Sequence, residues 1–77
     1  MSQIVKTPGV VGGRARIDGS RMPVWTIVGY WRTGMTDERL RTEMYPWLTQ
    51  DDLDAVRAYA QAHPEEIDRD IADQEDV

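Results

Sequence analysis

The side chains in this sequence that could do chemistry are arginines in its first part and carboxylates in its second. Residues 1–41 carry seven basic and three acidic side chains, a net charge of +4. Residues 42–77 carry two arginines and eleven acids, a net charge of −9, so that the whole chain has −5. This asymmetry indicates two surfaces with different partners. The alternative is a chance clustering of charges on a solvated surface.

The arginines of the first part surround a predicted β-hairpin. Asp18-Gly19 is a favoured pair for a two-residue type I′ turn, and a hairpin of that register places Arg16 directly opposite Arg21. Side chains that face each other across a strand pair share one face of the hairpin. One face then carries Ala15, Ile17 and Met22, and the other carries Arg14, Arg16 and Arg21.

Such an arginine face needs an anion, because directly opposed like charges destabilise a hairpin. DNA phosphates, the carboxylates of a partner, or acids of this chain would each supply one. A two-stranded ribbon also fits a major groove, where arginine pairs with guanine. We therefore predict that Arg14, Arg16 and Arg21 bind DNA. The alternative is that these arginines brace the fold by bonding the chain's own carboxylates and helix ends.

The acidic end of the chain, from Glu65 to Val77, contains seven carboxylates and one arginine. One interpretation is a solvated and partly disordered tail. The other is a segment that binds a basic surface of a partner protein, with Ile67 and Ile71 as apolar anchors and Arg69 and Asp70 as polar contacts.

No set of residues predicts catalysis or a metal site. The chain has one histidine and no cysteine, and it lacks the glycine-rich motifs that bind phosphate. Its carboxylates occur in predicted first turns of helices and not in a common pocket. We therefore expect a protein that is not an enzyme and has no cofactor, metal or small-molecule substrate. Because we find no apolar run of membrane-spanning length and no signal core, we also expect a cytoplasmic protein.

Helical signals dominate the rest of the sequence. An apolar pattern starts the first predicted helix near Val24, and Gly34 ends it. Thr36 and Thr49 are the N-caps of the next two helices, which end before Pro46 and at His63-Pro64. A fourth helix is predicted over 65–72, followed by a frayed end.

The predicted fold is mostly α. A short N-terminal β-hairpin or arm precedes a homeodomain-like bundle of three to four helices with a helix-turn-helix-like pair. The organisation is an arm over residues 1–13, a hairpin and trihelical core over 14–63, and an acidic helix or tail over 64–77. The aromatic side chains are expected in the core, and an exposed Trp25 or Trp47 would mark an interface.

Two motifs in this order resemble the domain-of-unknown-function family 433, over about residues 4–67. The first is the run GGRARIDGSRMPV from Gly12 to Val24, and the second is YPWLT with the helix that ends AYA, from Tyr45 to Ala60. Ala15 stands where the family pattern has proline, and Ser20 and Met22 replace threonine and isoleucine.

This resemblance implies a homeodomain-like fold and an antitoxin of the VapB type. Such a protein neutralises a PIN-like ribonuclease toxin and represses its own operon by binding operator DNA, usually as a homodimer. Under this hypothesis Ile67, Arg69, Asp70 and Ile71 contact the toxin. The alternatives are a stand-alone helix-turn-helix transcription regulator and a protein-interaction module without DNA binding.

Overall fold

Four helices and a short antiparallel strand pair form the fold, in a computed structural model that describes residues 2–75. The strands are β1 (Ile4–Val5) and β2 (Arg16–Ile17), and a 3₁₀ turn at Val11–Gly13 lies between them. The helices are α1 (Val24–Arg32), α2 (Asp37–Arg39, continued as a π-helix over Leu40–Met44), α3 (Gln50–Ala62) and α4 (Pro64–Glu75). The predicted mostly helical class with a short N-terminal strand pair is confirmed.

The helix starts lie where the sequence places them, because their caps are local. The Thr36 hydroxyl accepts a hydrogen bond from the Arg39 backbone N–H at 3.2 Å. Thr49 and Asp52 form a capping box, in which each side chain accepts from the other residue's backbone N–H. Gly34, with φ of 95°, follows the end of α1 in the left-handed region that glycine accepts readily.

The last turn of α2 is widened. The Tyr45 backbone N–H donates to the carbonyl of Leu40, five residues earlier, at 2.8 Å. The Thr42 hydroxyl donates to the Glu38 carbonyl at 2.8 Å, a side-chain bond that competes with the regular ladder. Pro46 follows directly and cannot continue the ladder. The helix therefore ends at the predicted point, but in π geometry.

The predicted hairpin register is wrong. Arg16 bridges Pro23 and not Arg21, and the Ile17 backbone N–H donates to the Met22 carbonyl at 3.0 Å, which leaves a four-residue loop. Only Gly19 of the loop has a positive φ, 84°, as in a type II turn, whereas a type I′ turn needs two such residues.

The hydroxyl of Ser20 accounts for the wider loop. This hydroxyl donates to the Ile17 carbonyl at 2.8 Å and accepts from the Met22 backbone N–H at 3.1 Å. They add to the bond from the Ser20 backbone N–H to the same Ile17 carbonyl at 3.1 Å, while the Ile17 N–H donates to Met22 and not to Ser20. The other edge of β2 pairs with β1, in the register Ile4–Ile17 and Val5–Arg16.

The core lies where α1 packs against α3 and α4. Its buried side chains are Ala15, Ile17, Val24, Ile27, Val28, Leu40, Leu48, Leu53, Val56 and Ile67. Because Ile67 is only 1% exposed, α4 belongs to the core and is not a separate tail after residue 63. The helix extends three residues beyond the predicted end at 72, and the predicted frayed residues 76 and 77 lie outside the described part of the chain.

Candidate functional site

Arg14, predicted to bind DNA, contacts α4. Its Nη2 lies 3.2 Å from Asp73 Oδ2, and its Nε lies 3.5 Å from Asp70 Oδ1. Gly12 leaves the space for this guanidinium, because a Cβ at Gly12 would lie 2.6 Å from Arg14 Nη1. One residue of the predicted DNA-binding set therefore lies beside Asp70, a residue of the predicted toxin-binding set.

The pairing of Arg14 with Asp70 is incomplete. A separation of 3.5 Å is too long for a good charge-assisted hydrogen bond, and the buried Nε of Arg14 has no hydrogen-bond partner among residues 2–75. Burial raises the pKa of Asp70, and the positive charge of Arg14 lowers it by less. For the ionised Asp70 carboxylate, the cost of burial consequently exceeds the stabilisation by Arg14.

Arg16 and Arg21 are brought together around one shallow hollow, which we call the arginine hollow. It is lined by Val10, Arg16, Asp18, Gly19, Ser20 and Arg21. Arg16 donates to the Ser20 carbonyl at 2.8 Å and to the Thr7 hydroxyl at 3.0 Å. Arg21 is exposed and belongs to no ion pair in the described part of the chain. The structure thus keeps two of the three predicted arginines on one surface.

Basic side chains of the first part of the chain pair with acids of the second part at the surface of the molecule. Lys6 Nζ lies 2.9 Å from Glu66 Oε1, and Arg32 pairs with Asp68. Burial alone would raise the pKa of Glu66, but hydrogen bonds from Lys6 and the Tyr59 hydroxyl outweigh it and hold the pKa below its usual value. The expectation of two separate charged surfaces is therefore corrected, because α4 packs against α1 and its acids partly neutralise the basic side chains.

The four predicted toxin contacts on α4 do not form a common exposed surface. Ile67 is in the core, and the half-buried Ile71 packs against it, so neither is an apolar anchor for another molecule while α4 keeps this position. Asp70 is half-buried beside Arg14, which leaves Arg69 as the exposed member of the set.

A cluster of carboxylates that the sequence did not indicate lies at the start of α3. We call it the acidic hollow, and it is lined by Ser2, Gln3, Asp18, Thr49, Asp51 and Asp52. The backbone N–H of Asp18 donates to the Gln3 carbonyl at 2.9 Å, which holds the N-terminal arm beside the β2 turn. The sequence indicates Asp51 and Asp52 only as first-turn residues of a helix, and no local signal places Asp18 beside them.

Asp52 is held ionised within this hollow. Burial alone would raise its pKa, but hydrogen bonds from the Ser2 hydroxyl, the Thr49 backbone and the Thr49 side chain outweigh burial and lower the pKa. Asp18 and Asp51 are exposed. The capping box and the arm therefore hold the Asp52 carboxylate in place, and the exposed Asp18 and Asp51 line the same hollow.

Aromatic side chains also lie at the surface, in the turn before α3 and on α1. Trp47 is 49% exposed, as expected of an interface residue, and Met44 is 38% exposed. The Tyr45 ring lies 6.2 Å from the rings of both Trp47 and Tyr30. Tyr30 in turn lines an apolar hollow on the outer side of α1 with Trp25, Thr26, Gly29 and Thr33. We call this hollow the α1 outer face.

Neither a metal site nor a membrane span was found in residues 2–75. No group of three or more metal-ligating side chains in this part of the chain could hold an ion. None of the helices described is long and apolar enough to cross a membrane.

Comparison with known proteins supports the resemblance found in the two motifs. A family model described as "Protein of unknown function (DUF433)" matches residues 4–60. A crystal structure of a DUF433 member protein from Anabaena variabilis ATCC 29413 is similar to this chain, with a TM-score of 0.84 and 51% sequence identity. The similarity covers 90% of this chain and 67% of that one. No curated protein matches the sequence. Since the family model spans most of the chain, including the arm, the β2 turn and α3, the protein belongs to the DUF433 family.

Proposed function

We propose that this protein is a cytoplasmic antitoxin-like protein that binds and neutralises a PIN-like ribonuclease, and that it catalyses no reaction itself. The observation that supports this function best is the acidic hollow, with the exposed Trp47 two residues from Thr49 at its edge. Carboxylates beside an exposed tryptophan suit a basic protein surface, because the charges steer the encounter and the aromatic ring supplies a buried anchor.

A ribonuclease is a fitting partner for such a surface. Its substrate-binding groove must attract the phosphates of RNA, and a groove of positive potential does so. Asp18, Asp51 and Asp52 present negative charges in one hollow and would compete with RNA for that groove. In this proposal the acidic hollow replaces the α4 residues as the toxin contact, since Ile67 and Ile71 pack in the core.

The test is inhibition of a PIN-like ribonuclease, which this function predicts to be encoded beside this protein. We expect a stable complex of the two purified proteins and loss of RNA cleavage. Asp51→Lys is expected to weaken the complex by about 10-fold or more, because it places a positive charge against a basic surface. Glu65→Lys makes the same charge change at an exposed position of α4 and is the matched control.

Two results would contradict this proposal. One is that no such ribonuclease gene lies beside this one, or that the ribonuclease cleaves RNA equally well with the protein present. The other is that Asp51→Lys inhibits as strongly as the unmodified protein while Glu65→Lys does not, which would move the contact to α4.

A second candidate function, operator binding, is favoured by the arginine hollow. Arg16 and the exposed Arg21 lie together there, and two neighbouring guanidinium groups suit a DNA backbone. Arg14 is left out of this proposal because it is paired with α4. Asp18 lines both hollows. The β2 turn, which contains Asp18, would therefore lie between the DNA contact and the toxin contact.

Fluorescence anisotropy with duplex DNA from the protein's own promoter tests this second function. Arg21→Glu is expected to weaken binding by about 10-fold or more and to reduce its salt dependence, because one phosphate contact becomes a repulsion. Arg69→Glu, exposed on α4, is the control of equal charge change. Equal loss of affinity in both variants would mean that binding follows net charge and not this hollow.

A further inference from the structure

The α1 outer face differs from the acidic hollow and the arginine hollow in having no acidic lining residue. Trp25, Thr26, Gly29, Tyr30 and Thr33 line its shallow apolar hollow. No aspartate or glutamate occurs in the sequence between Asp18 and Asp37, although the chain has 14 of them. In a protein of net charge −5, this hollow is therefore lined by neutral side chains alone.

Gly29 is the unexplained residue of this face. It lies inside α1, where glycine lowers the stability of a helix relative to alanine. Its backbone does not need glycine, because its φ is not positive, and a Cβ at this position would meet nothing within 4 Å. Packing within the chain therefore does not require a glycine at this position. The remaining use of a glycine here is the close approach of another backbone.

We propose that the α1 outer face is a homodimer interface, in which α1 of two copies pack antiparallel and cross at Gly29. A twofold axis through this crossing places the two glycines opposite each other. Trp25 of one copy then lies opposite Thr33 of the other, since both are four residues from Gly29. Each Trp25 indole enters the hollow between Gly29 and Thr33 of the second copy, so the surface is complementary to itself, as a twofold interface requires.

Charge favours a second copy over a basic partner at this face. A basic protein gains most from carboxylates, and the α1 outer face offers none. Two identical acidic chains meet at the lowest electrostatic cost where neither buries an acid. Arg32, at the end of α1, is paired with Asp68 of its own chain, and in the antiparallel crossing it lies opposite Thr26 and not opposite the second Arg32.

This dimer is independent of the proposed toxin contact. The α1 outer face shares no lining residue with the acidic hollow or the arginine hollow. A dimer formed through α1 would therefore leave two copies of each hollow accessible, which is the arrangement that a palindromic operator requires.

Sedimentation of the full chain alone tests the dimer. We expect the sedimentation coefficient to rise from monomer to dimer between micromolar and millimolar concentrations. Gly29→Arg should weaken association by about 100-fold or more, because it buries two unpaired charges at the crossing. Ala58→Arg, at an exposed position of α3, is the control and should associate like the unmodified chain. A monomer at all concentrations, or unchanged association of Gly29→Arg, would overturn the proposal.

A cysteine variant tests the same crossing without a charge. The chain has no cysteine, so Gly29→Cys introduces a single thiol, and the twofold axis places the two thiols opposite each other. Under oxidation Gly29→Cys should form disulfide-linked dimers about 10-fold faster or more than Ala58→Cys, because the interface raises the effective concentration of its thiol. Equal rates would overturn the proposal even if Gly29→Arg fails to fold.

Discussion

At the scale of single residues, Asp37 connects three helices through one carboxylate. It accepts hydrogen bonds from Trp31 Nε1 at 2.7 Å, Arg57 Nη2 at 2.9 Å and Gln50 Nε2 at 3.0 Å. The Arg57 guanidinium also lies 4.3 Å from the centre of a Trp31 ring. Burial alone would raise the pKa of Asp37, but these bonds outweigh it and lower the pKa. This network orients the start of α3, and with it the acidic hollow.

Asp37→Asn should therefore lower the free energy of unfolding by about 1–3 kcal/mol, since it removes hydrogen bonds to a charged, half-buried acceptor. Urea unfolding at neutral pH measures this change. Glu38→Gln removes a charge from the neighbouring, exposed position of α2 and is the control. If both variants are equally stable, the Asp37 network does not hold the helices together.

At the scale of elements, α4 contributes both to the core and to the ion pairs at the surface. Ile67, on its inner side, is buried in the core, and its outer side carries the acids that neutralise Lys6, Arg14 and Arg32. The exposed ion pairs contribute little to stability because solvent screens them. Apolar burial, and not charge, is therefore what holds α4 in place.

Ile67→Ala tests this account of α4. The change should lower the free energy of unfolding by about 2–5 kcal/mol, because it removes buried methyl groups and leaves a cavity. Ala72→Ser, at an exposed position of the same helix, should change the stability little. Equal stability of the two variants in thermal or denaturant unfolding would show α4 to be a dispensable tail.

At the scale of the whole molecule, carboxylates with shifted pKa values set the response to acid. The pKa is lowered for Asp37, Asp52 and Glu66 and raised for Asp70. A carboxyl group with a lowered pKa stabilises the fold above its ordinary pKa, 3.8 for aspartate and 4.5 for glutamate, and this stability is lost as pH falls through the lower folded value. Asp70 acts in the opposite sense, since the folded protein binds its proton more tightly.

The free energy of unfolding should consequently fall as the pH is lowered from about 5 to below the ordinary aspartate value. Asp70→Asn removes the opposing group. At pH 7, where ionised Asp70 is unfavourable, this change should leave the free energy of unfolding unchanged or raise it. In acid, where Asp70 is protonated in the unmodified protein, the difference in stability should disappear. Chemical unfolding over a pH series measures both effects. A destabilised Asp70→Asn at pH 7 would show that the bond to Arg14 outweighs the cost of burial.

Local signals in the sequence were enough to determine the boundaries of α1, α2 and α3 and the family, but not the end of α4. Thr36, Thr49 and Gly34 act within three or four residues of the chain, so their effects do not depend on how the helices pack. The apolar periodicity of α1 and α3 also indicated half of the buried core residues. The two motifs are contiguous runs, and for this reason the family was predicted before any contact between helices was known.

Tertiary packing decided which charged groups meet and which surfaces stay open. Arg14 and Asp70 are 56 positions apart, and Asp18 and Asp51 lie on different elements, so no local rule places either pair together. Burial of Ala15, Ile17 and Ile67 in one core brings these elements together. Because apolar burial determines the packing and ion pairs follow from it, the charge pattern alone could not show that α4 covers Arg14 and leaves Arg21 exposed.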